Sequence, residues 1–384
     1  MVAHTKQGIT RRAAAVKLAN LLGVRLMWTL LALLPAASGQ SPATFDGHIV
    51  WERDFDAPTS TLGSAVVDSA GVLWSVSGFT ALPVLTRVSP QGKLIGETDC
   101  NSGKPSPPSE FGDYRLALSS KGAMEILVSY SRWIGRTVYF DGAKVAAIHS
   151  DGTCGEFKPI VGPGAQYLDF SALSNGGFLA AGDQAPFTLI RIDPSGRVAW
   201  RRTFSEWWVG PSAAALNGGS VCVAAVVETR PSQPWHEHLM IVAPSGAVIH
   251  QRNLAGIAGT QMLPGPNGNC LALSSPNLPH SPGRLTLSSF GGDLSLLWSA
   301  PVPVEFTYGG GFMMVSTTKG PVAAARGTRG LFVAAFDFTG KLRWVAQDSE
   351  RTLGIDQLAS AGDSFYVLGG GKKPSKSLHV IRMR

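Results

Sequence analysis

The sequence has few charged residues and no long apolar segment. Charged side chains make up 15% of its 384 residues and hydrophobic ones 44%, a composition that excludes an intrinsically disordered chain. No apolar stretch reaches the roughly 18 residues that a membrane-spanning helix needs. The 45 glycines and 25 prolines follow no Gly-X-Y period, which excludes a collagen-like rod. We therefore expect a folded chain rich in turns, with no transmembrane segment in its mature part.

Linear motifs of several enzyme classes are also absent. The sequence contains no Gly-x-Ser-x-Gly nucleophile elbow, no phosphate-binding P-loop and no EF-hand loop. The glycine triplets at 309–311 and 369–371 lack the strand–loop–helix context of a phosphate site. We assign no catalytic residue and expect no cofactor.

The four cysteines do not have the spacing of a zinc site. Cys222 and Cys270 each follow a turn glycine inside a strand pattern, and we expect them to be buried small apolar residues. Cys100 and Cys154 lie nearer loops and are the pair that could form a disulfide.

Basic residues are concentrated at the N-terminus. Residues 1–39 contain five basic residues and no acidic one, so they supply +5 of the formal net charge of +7 and leave +2 for the remainder. The short apolar run 26–34 and the small residues 36–39 complete the pattern of a secretory signal peptide. We predict cleavage near Gly39 and export to the periplasm or cell exterior, by the general or the twin-arginine route (Thr10-Arg11-Arg12 partly matches the latter). The near-neutral remainder argues against a nucleic-acid partner.

Two hairpin signatures alternate along residues 40–384. The first is an apolar strand, a tight turn with Gly, Asn or Asp, and a second apolar strand. Its copies centre on residues 70–71, 121–122, 175–177, 217–219, 267–268, 319–320 and 361–363. The second signature turns at residues 46–47, 90–92, 151–152, 194–196, 244–246, 291–292 and 339–340.

One copy of the second signature is displaced. Asp46-Gly47 begins the predicted mature chain with no first hairpin before it, while residues 378–382 form a third strand with no fourth strand after it. A circular array explains both facts. We therefore predict an all-β, seven-bladed β-propeller of four-stranded blades at residues 40–384, closed by the N-terminal strand, with about 49 residues per blade. Six or eight blades, a β-sandwich array or two barrels are the alternatives.

The second signature resembles the repeat of quinoprotein-like (PQQ-like) propellers. It reads as an apolar strand, an Asp/Ser-Pro-x-Gly turn, and Val or Leu two residues before Trp, with the tryptophan at Trp51, Trp200 and Trp344 and shifted at Trp298. Quinoprotein dehydrogenases have eight blades, adjacent cysteines over the cofactor and a calcium site. This chain has no adjacent cysteines and seven predicted blades, so the resemblance implies architecture and export but not quinone chemistry.

In a propeller of this kind both hairpin turns lie on one face, and the longer connections lie on the other. We expect those connections to include Asp99–Asp113, Ser129–Lys144, Glu228–His238, Ser275–Arg284 and Gly369–Ser377. Function usually resides in such loops, and exposed Trp and Arg often anchor interfaces. The candidate binding residues are Arg132, Trp133, Arg136, Trp207, Trp208, Arg230, Trp235, His236, His238, Arg284, Arg326 and Arg329. The alternative is that the loops are simply polar and the tryptophans pack between blades.

His236 and His238 also raise the question of a metal. Residues two apart in a strand point to the same side, so both imidazoles could share an ion. No third ligand is identifiable from the sequence, and we predict no metal site.

These observations favour an exported, monomeric binding module that engages a protein partner or an anionic polysaccharide through a basic, aromatic loop face. A propeller enzyme of hydrolase, lyase or quinoprotein type, with its site at the central funnel, is the alternative, because such sites are assembled from single residues on several blades. An assembly factor at a bacterial envelope is a third hypothesis.

Overall fold

The computed structural model describes most of the chain from Ala43 to Arg384. Residues 1–42, with the predicted signal peptide, lie outside the described residues. So do residues 57–61, 79–82, 101–109, 120, 135–136, 162–165, 175, 184–186, 205–207, 228–235, 256, 277–282, 307–310, 328–329, 350–354 and 371–376. No helix in the described part is long and apolar enough to cross a membrane.

The regular structure is almost entirely β-strand and forms seven four-stranded antiparallel blades. A two-residue strand, β1 (Ala43–Thr44), precedes a 3-10 turn at Phe45–His48 and the strand β2 (Ile49–Asp56). Blade 1 consists of β3 (Leu62–Val67), β4 (Leu73–Ser77), β5 (Val84–Val88) and β6 (Leu94–Asp99). Blade 2 consists of β7 (Glu110–Leu118), β8 (Met124–Ile134), β9 (Thr137–Ile148) and β10 (Lys158–Val161). Blade 3 consists of β11 (Gln166–Ala172), β12 (Phe178–Asp183), β13 (Phe187–Ile192) and β14 (Val198–Phe204).

The remaining blades follow the same order. Blade 4 consists of β15 (Trp208–Ala215), β16 (Val221–Val227), β17 (His236–Val242) and β18 (Val248–Ala255). Blade 5 consists of β19 (Ile257–Pro264), β20 (Cys270–Pro276), β21 (Gly283–Phe290) and β22 (Leu296–Phe306). Blade 6 consists of β23 (Phe312–Thr317), β24 (Gly320–Gly327), β25 (Gly330–Phe336) and β26 (Leu342–Asp348). Blade 7 contains β27 (Gln357–Ala361), β28 (Ser364–Gly370) and β29 (Ser377–Met383), and β2 is its fourth strand. Short 3-10 turns also occur at Asn217–Gly219 and Pro266–Gly268.

The first strand of each blade contacts the first strands of both neighbouring blades. These contacts run from β3 to β7, β11, β15, β19, β23 and β27, and then from β27 back to β3. The seven first strands therefore surround the axis of a closed ring. The predicted seven-bladed propeller is confirmed.

Both ends of the described chain meet in blade 7. Strand β2 pairs antiparallel with β29, with Phe55 opposite Leu378 and Trp51 opposite Arg382. The N-terminal strand thus supplies the fourth strand that the last blade lacks, as predicted, and the ring closes by hydrogen bonds between strands far apart in sequence.

One sequence expectation about this closure is wrong. Asp46-Gly47 is not a hairpin turn, because the preceding strand β1 does not pair with β2. Instead β1 runs parallel to β26 at the outer edge of blade 6, with Ala43 opposite Ala346, and the turn at Phe45–His48 carries the chain across to blade 7.

Seven apolar clusters hold the blades together, and each spans one junction between neighbours. The closing cluster, for example, packs Phe55 and Tyr366 of blade 7 against Leu73 and Val88 of blade 1. Second and third strands are covered by neighbours on both faces. For this reason the strand Val221–Val227 is buried at every position and reads as a continuous apolar run, whereas outer strands such as Val198–Phe204 are largely exposed.

A tryptophan of the outer strand fastens three of the junctions. The indole Nε1–H donates to a turn carbonyl of the next blade: Trp51 to Pro90 at 2.8 Å, Trp200 to Pro244 at 2.8 Å and Trp298 to Phe338 at 3.0 Å. Each acceptor lies two residues before the glycine of its turn. We call this arrangement the Trp clasp.

An arginine reinforces two of these clasps. Arg191 lies opposite Trp200 in its blade and also donates to the Pro244 carbonyl, at 2.9 Å. Arg382 lies opposite Trp51 and donates to the Pro90 carbonyl at 2.6 Å. The same pair of donors therefore meets one carbonyl at the blade 3–4 and blade 7–1 junctions.

Two disulfides add covalent links between neighbouring blades. Cys100 of blade 1 is bonded to Cys154 of blade 2, with Cα atoms 5.4 Å apart, and Cys222 of blade 4 to Cys270 of blade 5, with Cα atoms 6.3 Å apart. The first pair agrees with the pairing that the sequence left open. The expectation that Cys222 and Cys270 are only buried apolar residues is wrong: both are fully buried, but equivalent positions of adjacent second strands bring their sulfurs together.

The Trp clasp makes a testable prediction about glycine. Gly340 has φ +84°, and a Cβ there would lie 2.5 Å from the Trp298 ring, whereas at Gly218 (φ +77°) a Cβ would meet nothing within 4 Å. Gly218→Ala should lower the free energy of unfolding by about 1 kcal/mol, from φ strain alone. Gly340→Ala should lower it by about 2–3 kcal/mol, because the ring must also move. Equal losses in denaturant titrations of the two variants would contradict the clasp.

The disulfides predict the thiol content of the protein made in an oxidising compartment. After denaturation without reductant, no cysteine should react with a thiol reagent, and peptide mapping should recover the pairs Cys100–Cys154 and Cys222–Cys270. Replacing both members of either pair by Ala should cost about 2–4 kcal/mol of stability. Free thiols, or links between other pairs, would show that these junctions are not covalently closed.

Candidate functional site

The two faces of the ring differ in how they connect strands. Turns within both hairpins of a blade lie on one face, which we call the turn face, and most are closed by their own backbone hydrogen bonds, such as Gly92 N–H to the Ser89 carbonyl at 2.9 Å. Connections from second to third strands and from one blade to the next lie on the opposite, loop face. The longest of these separate Asp99 from Glu110, Val227 from His236 and Asp348 from Gln357.

Those predicted site residues that the structure describes lie at loop-face ends of strands. Arg132 and Trp133 lie near the end of β8, and Trp208 begins β15, but their side chains lie outside the described residues. Arg284 and Arg326 are exposed near the loop-face ends of β21 and β24. Outside the described residues altogether are Arg136, Trp207, Arg230, Trp235 and Arg329.

One predicted loop is in fact mostly strand. Residues 129–144 form the far ends of β8 and β9, which pair from Met124 and Ile148 out to Ile134 and Thr137, with a register shift after Tyr130. Only residues 135–136 connect them. With 11 and 12 residues, β8 and β9 are longer than the second and third strands of the other blades, so this hairpin extends further on the loop side. Sequence reasoning missed it because Arg, Trp and Gly interrupt the apolar pattern.

Polar side chains of the first strands link one blade to the next around the propeller axis. We call Arg115, Asp169, Ser212, Gln261 and Gln357 the polar collar. Each bonds to a neighbouring first strand. Gln357 Nε2 and Arg115 Nη1 both donate to the Gly63 carbonyl, at 3.1 and 2.7 Å. The other three accept from backbone N–H groups: Asp169 Oδ2 from Ala213 at 2.5 Å, Ser212 Oγ from Met262 at 2.9 Å, and Gln261 Oε1 from Met314.

Asp169 is the acidic member of this collar. Burial raises the pKa of its carboxyl, while the Ala213 N–H and the nearby Arg115 guanidinium partly offset that rise. A β-bulge after Tyr167 and another after Val209 precede Asp169 and Ser212, and bulges of this kind re-aim side chains. The collar thus fixes the spacing of the first strands, and with it the positions of the loop-face strand ends.

A second buried carboxyl lies within the His-Glu-His motif. Glu237 is 1% exposed and sits between blades 4 and 5, where it accepts a hydrogen bond from Thr260 Oγ1. The Thr260 and Ser274 hydroxyl oxygens are 2.7 Å apart, which extends the network. Desolvation raises the pKa of Glu237 to about 7, and the Thr260 hydrogen bond opposes that rise.

The flanking histidines lie on the other side of their strand. His236 and His238 are half-buried and opposite to Glu237 in the alternation of β17, as the sequence predicted for residues two apart. Among the described residues, no group of three His, Cys, Asp or Glu side chains could hold a metal ion. The motif therefore combines a buried acid facing blade 5 with two imidazoles facing away from it.

A third buried carboxyl, Glu125 of β8, lies nearer the turn face. Burial raises its pKa to about 7, with Lys158 lowering it and Asp193 raising it. Its Oε2 atom has no hydrogen-bond partner in the described structure. Sequence reasoning singled out neither Glu125 nor Asp169, because an isolated acid in an apolar strand carries no spacing signal.

No protein-family model matches this chain, and no curated protein does. Among solved structures, the C-terminal WD40 domain of Sif2 is 11% identical, with 86% of this chain and 98% of that chain covered and a TM-score of 0.48. A protein of unknown function from Bacteroides caccae is 15% identical (74% and 97% covered, TM-score 0.42), and a luciferin-regenerating enzyme is 12% identical (87% and 95%, TM-score 0.41). At these values the likenesses carry no argument about activity or partners.

Burial of Glu237 predicts a pH dependence of stability. Its pKa is about 7 in the folded protein and near 4.5 when unfolded, so the folded state holds the extra proton between these values. The stabilisation of the folded state by this extra proton is complete below about pH 4.5. It is lost as the pH rises towards 7, which lowers the free energy of unfolding by about 3 kcal/mol in all. Glu237→Gln keeps an acceptor for Thr260 but does not ionise. Relative to the wild type it should therefore gain stability between pH 5 and pH 8.

Denaturant titrations at both pH values measure this difference. Glu97→Gln, on the exposed outer strand of blade 1, serves as the control and should shift the pH profile little. If the Glu237→Gln and Glu97→Gln profiles coincide, Glu237 is not held protonated by burial.

Proposed function

We propose that this protein is an exported binding module that engages an anionic surface, of a partner protein or of a polysaccharide, through its loop face. The observation that carries the proposal is the contrast between the two faces. Turn-face connections are short and bonded to themselves, as a scaffold requires, while the loop face carries the long and variable connections. Binding residues concentrate on loops that a rigid scaffold positions.

The residue types on those connections support an anionic partner. The sequence places Arg230 and Trp235 on one long connection, and Lys372, Lys373 and Lys376 on another. Arg284 and Arg326 are exposed at the ends of neighbouring blades, although Arg284 lies opposite Glu305 in its sheet. Cations and aromatic side chains together are the usual anchors of such an interface.

Two features support export. Disulfides form and persist in oxidising compartments, and both disulfides of this chain link neighbouring blades. Residues 1–39 carry the signal-peptide pattern. We propose that residues 40–384 form the mature propeller in the periplasm or outside the cell.

We further propose that the repeat belongs to the quinoprotein-like superfamily without its quinone chemistry. The support is the Trp clasp, in which the repeated tryptophan and the turn glycine of the next blade meet at Trp51, Trp200 and Trp298. They are three of the four tryptophans on which the sequence resemblance rests, the fourth being Trp344.

An enzyme with its site near the axis is the second candidate. The observation in its favour is Asp169, a carboxyl with a raised pKa held beside Arg115 on the innermost strands, since perturbed carboxyls often mark catalytic sites. The bonds of Asp169 to blade 4 give it a bracing role that explains its position without catalysis.

Charge reversal on the two faces tests the proposed function. We expect Arg284→Glu with Arg326→Glu to elute from an immobilised alginate column at a clearly lower salt concentration than the wild type. Lys121→Glu with Arg197→Glu, on the turn face, makes the same change in net charge and should elute nearly with the wild type. All runs use one pH and one salt gradient, because ionic strength screens contacts between exposed charges. Equal shifts in both double variants, or none, would overturn a binding site on the loop face.

A further inference from the structure

The blade 6–7 junction is the place where the regular clasp is broken. At the other Trp junctions a turn of the next blade supplies the carbonyl that accepts the indole N–H. In blade 7 that turn does not exist, because its third strand ends at Met383 and its fourth strand begins at Ile49, from the other end of the chain. Trp344 of blade 6 therefore faces a gap between two chain segments.

The gap remains open as a cleft. It has a volume of about 380 Å³ and lies on the turn face. We call it the seam cleft, and its walls include His48, Lys319, Ala335, Arg343, Trp344 and Asp363. The residue opposite Trp344 in its sheet is Ala335, whereas Arg191 lies opposite Trp200 and Arg382 opposite Trp51. Ser289 lies opposite Trp298 in the intact blade 5–6 clasp, so the arginine is not essential to a clasp, and the cleft occupies the space of the missing turn.

Trp344 is held in place although its clasp is absent. Its ring stacks on His48, with centroids 4.1 Å apart and planes at 15°, and lies near Phe365 at 6.3 Å on blade 7. Its Nε1–H makes no hydrogen bond to the part of the chain that the structure describes, unlike the indoles of Trp51, Trp200 and Trp298. Because the ring is only half-buried, this N–H is available to solvent or to a ligand that occupies the cleft.

The charged groups around the cleft are mainly cations. Lys319 pairs with Asp363 at 2.8 Å, and both are partly exposed. Arg343 has no ion pair or hydrogen bond to a described residue. It also lines, together with Lys319 and Lys341, an adjoining hollow of about 490 Å³. Asp337 in that hollow already accepts hydrogen bonds from Thr339 and from the Lys341 N–H.

We infer that the seam cleft binds a tetrahedral oxyanion, the phosphate or sulfate group of a small molecule or glycan. Its oxygens would accept the indole N–H of Trp344, as turn carbonyls do at the other junctions, and would be paired with the guanidinium of Arg343 and the ammonium of Lys319. This site is on the face opposite to the proposed loop-face interface and does not depend on it.

Calorimetric titration with inorganic phosphate and with inorganic sulfate, at constant ionic strength set with chloride, tests the inference. We expect saturable binding of one anion per chain. Arg343→Gln should weaken it by about tenfold or more, and Trp344→Phe, which keeps the stack but removes the N–H, by about threefold to tenfold. Arg197→Gln removes a cation at a turn-face position of blade 3, remote from the cleft, and should change affinity by less than about twofold.

The outcomes separate clearly. Tighter phosphate binding identifies a phosphorylated ligand, and tighter sulfate binding a sulfated one. No saturable binding of either anion overturns the inference. Equal weakening by Arg343→Gln and Arg197→Gln also overturns it, because that result means an adventitious ion only. The loop-face variant Arg284→Glu with Arg326→Glu should retain this binding, so failure of the loop-face proposal would leave it intact.

Discussion

Packing between neighbouring blades is the constraint on which the whole structure depends. A single four-stranded blade leaves both faces of its middle strands apolar, as Val221–Val227 illustrates, so it is stable only between two neighbours. The last blade must then pack against the first, which Phe55 and Tyr366 achieve against Leu73 and Val88. The disulfides act at the blade 1–2 and 4–5 junctions, and the Trp clasps at the blade 3–4, 5–6 and 7–1 junctions. Together with the polar collar, they strengthen contacts that the apolar clusters already make.

Closing the ring with one strand from each end of the chain has a structural consequence. Six blades turn from third to fourth strand through a continuous chain, but blade 7 joins Met383 and Ile49 from opposite ends. The junction that lacks this turn is the one where Trp344 loses its acceptor and a cleft remains. The long connections lie on the opposite face. The fold therefore separates a scaffold face, with one irregular junction, from a face built of loops.

Much of the fold was predictable because turns repeat with a period, and because a strand pattern near residue 50 with no partner strand beside it indicated that the N-terminal strand completes the last blade. The tryptophans at 51, 200 and 298 were visible as a repeat, but their acceptors were not, since a carbonyl of the next blade carries no sequence signal. Cys222 and Cys270 looked like core residues because each is one, and their pairing depends on the register between blades. Glu237 drew attention only through its histidine neighbours, whereas its burial against Thr260 is a tertiary property. The position of Arg284 and Arg326 at loop-face strand ends, by contrast, follows from the strand order alone.

The central proposal is that this ring is an exported binding scaffold, and the sequence predicts no bound cofactor. The most direct test is one sample of the protein purified from its native compartment, examined for intact mass, absorbance spectrum and metal content. The account predicts a polypeptide that begins near Gln40, four hydrogens lighter than its reduced form because of the two disulfides, with no chromophore and no stoichiometric metal. A stoichiometric chromophore or metal would contradict it and would move the search for function to the carboxyls around the propeller axis.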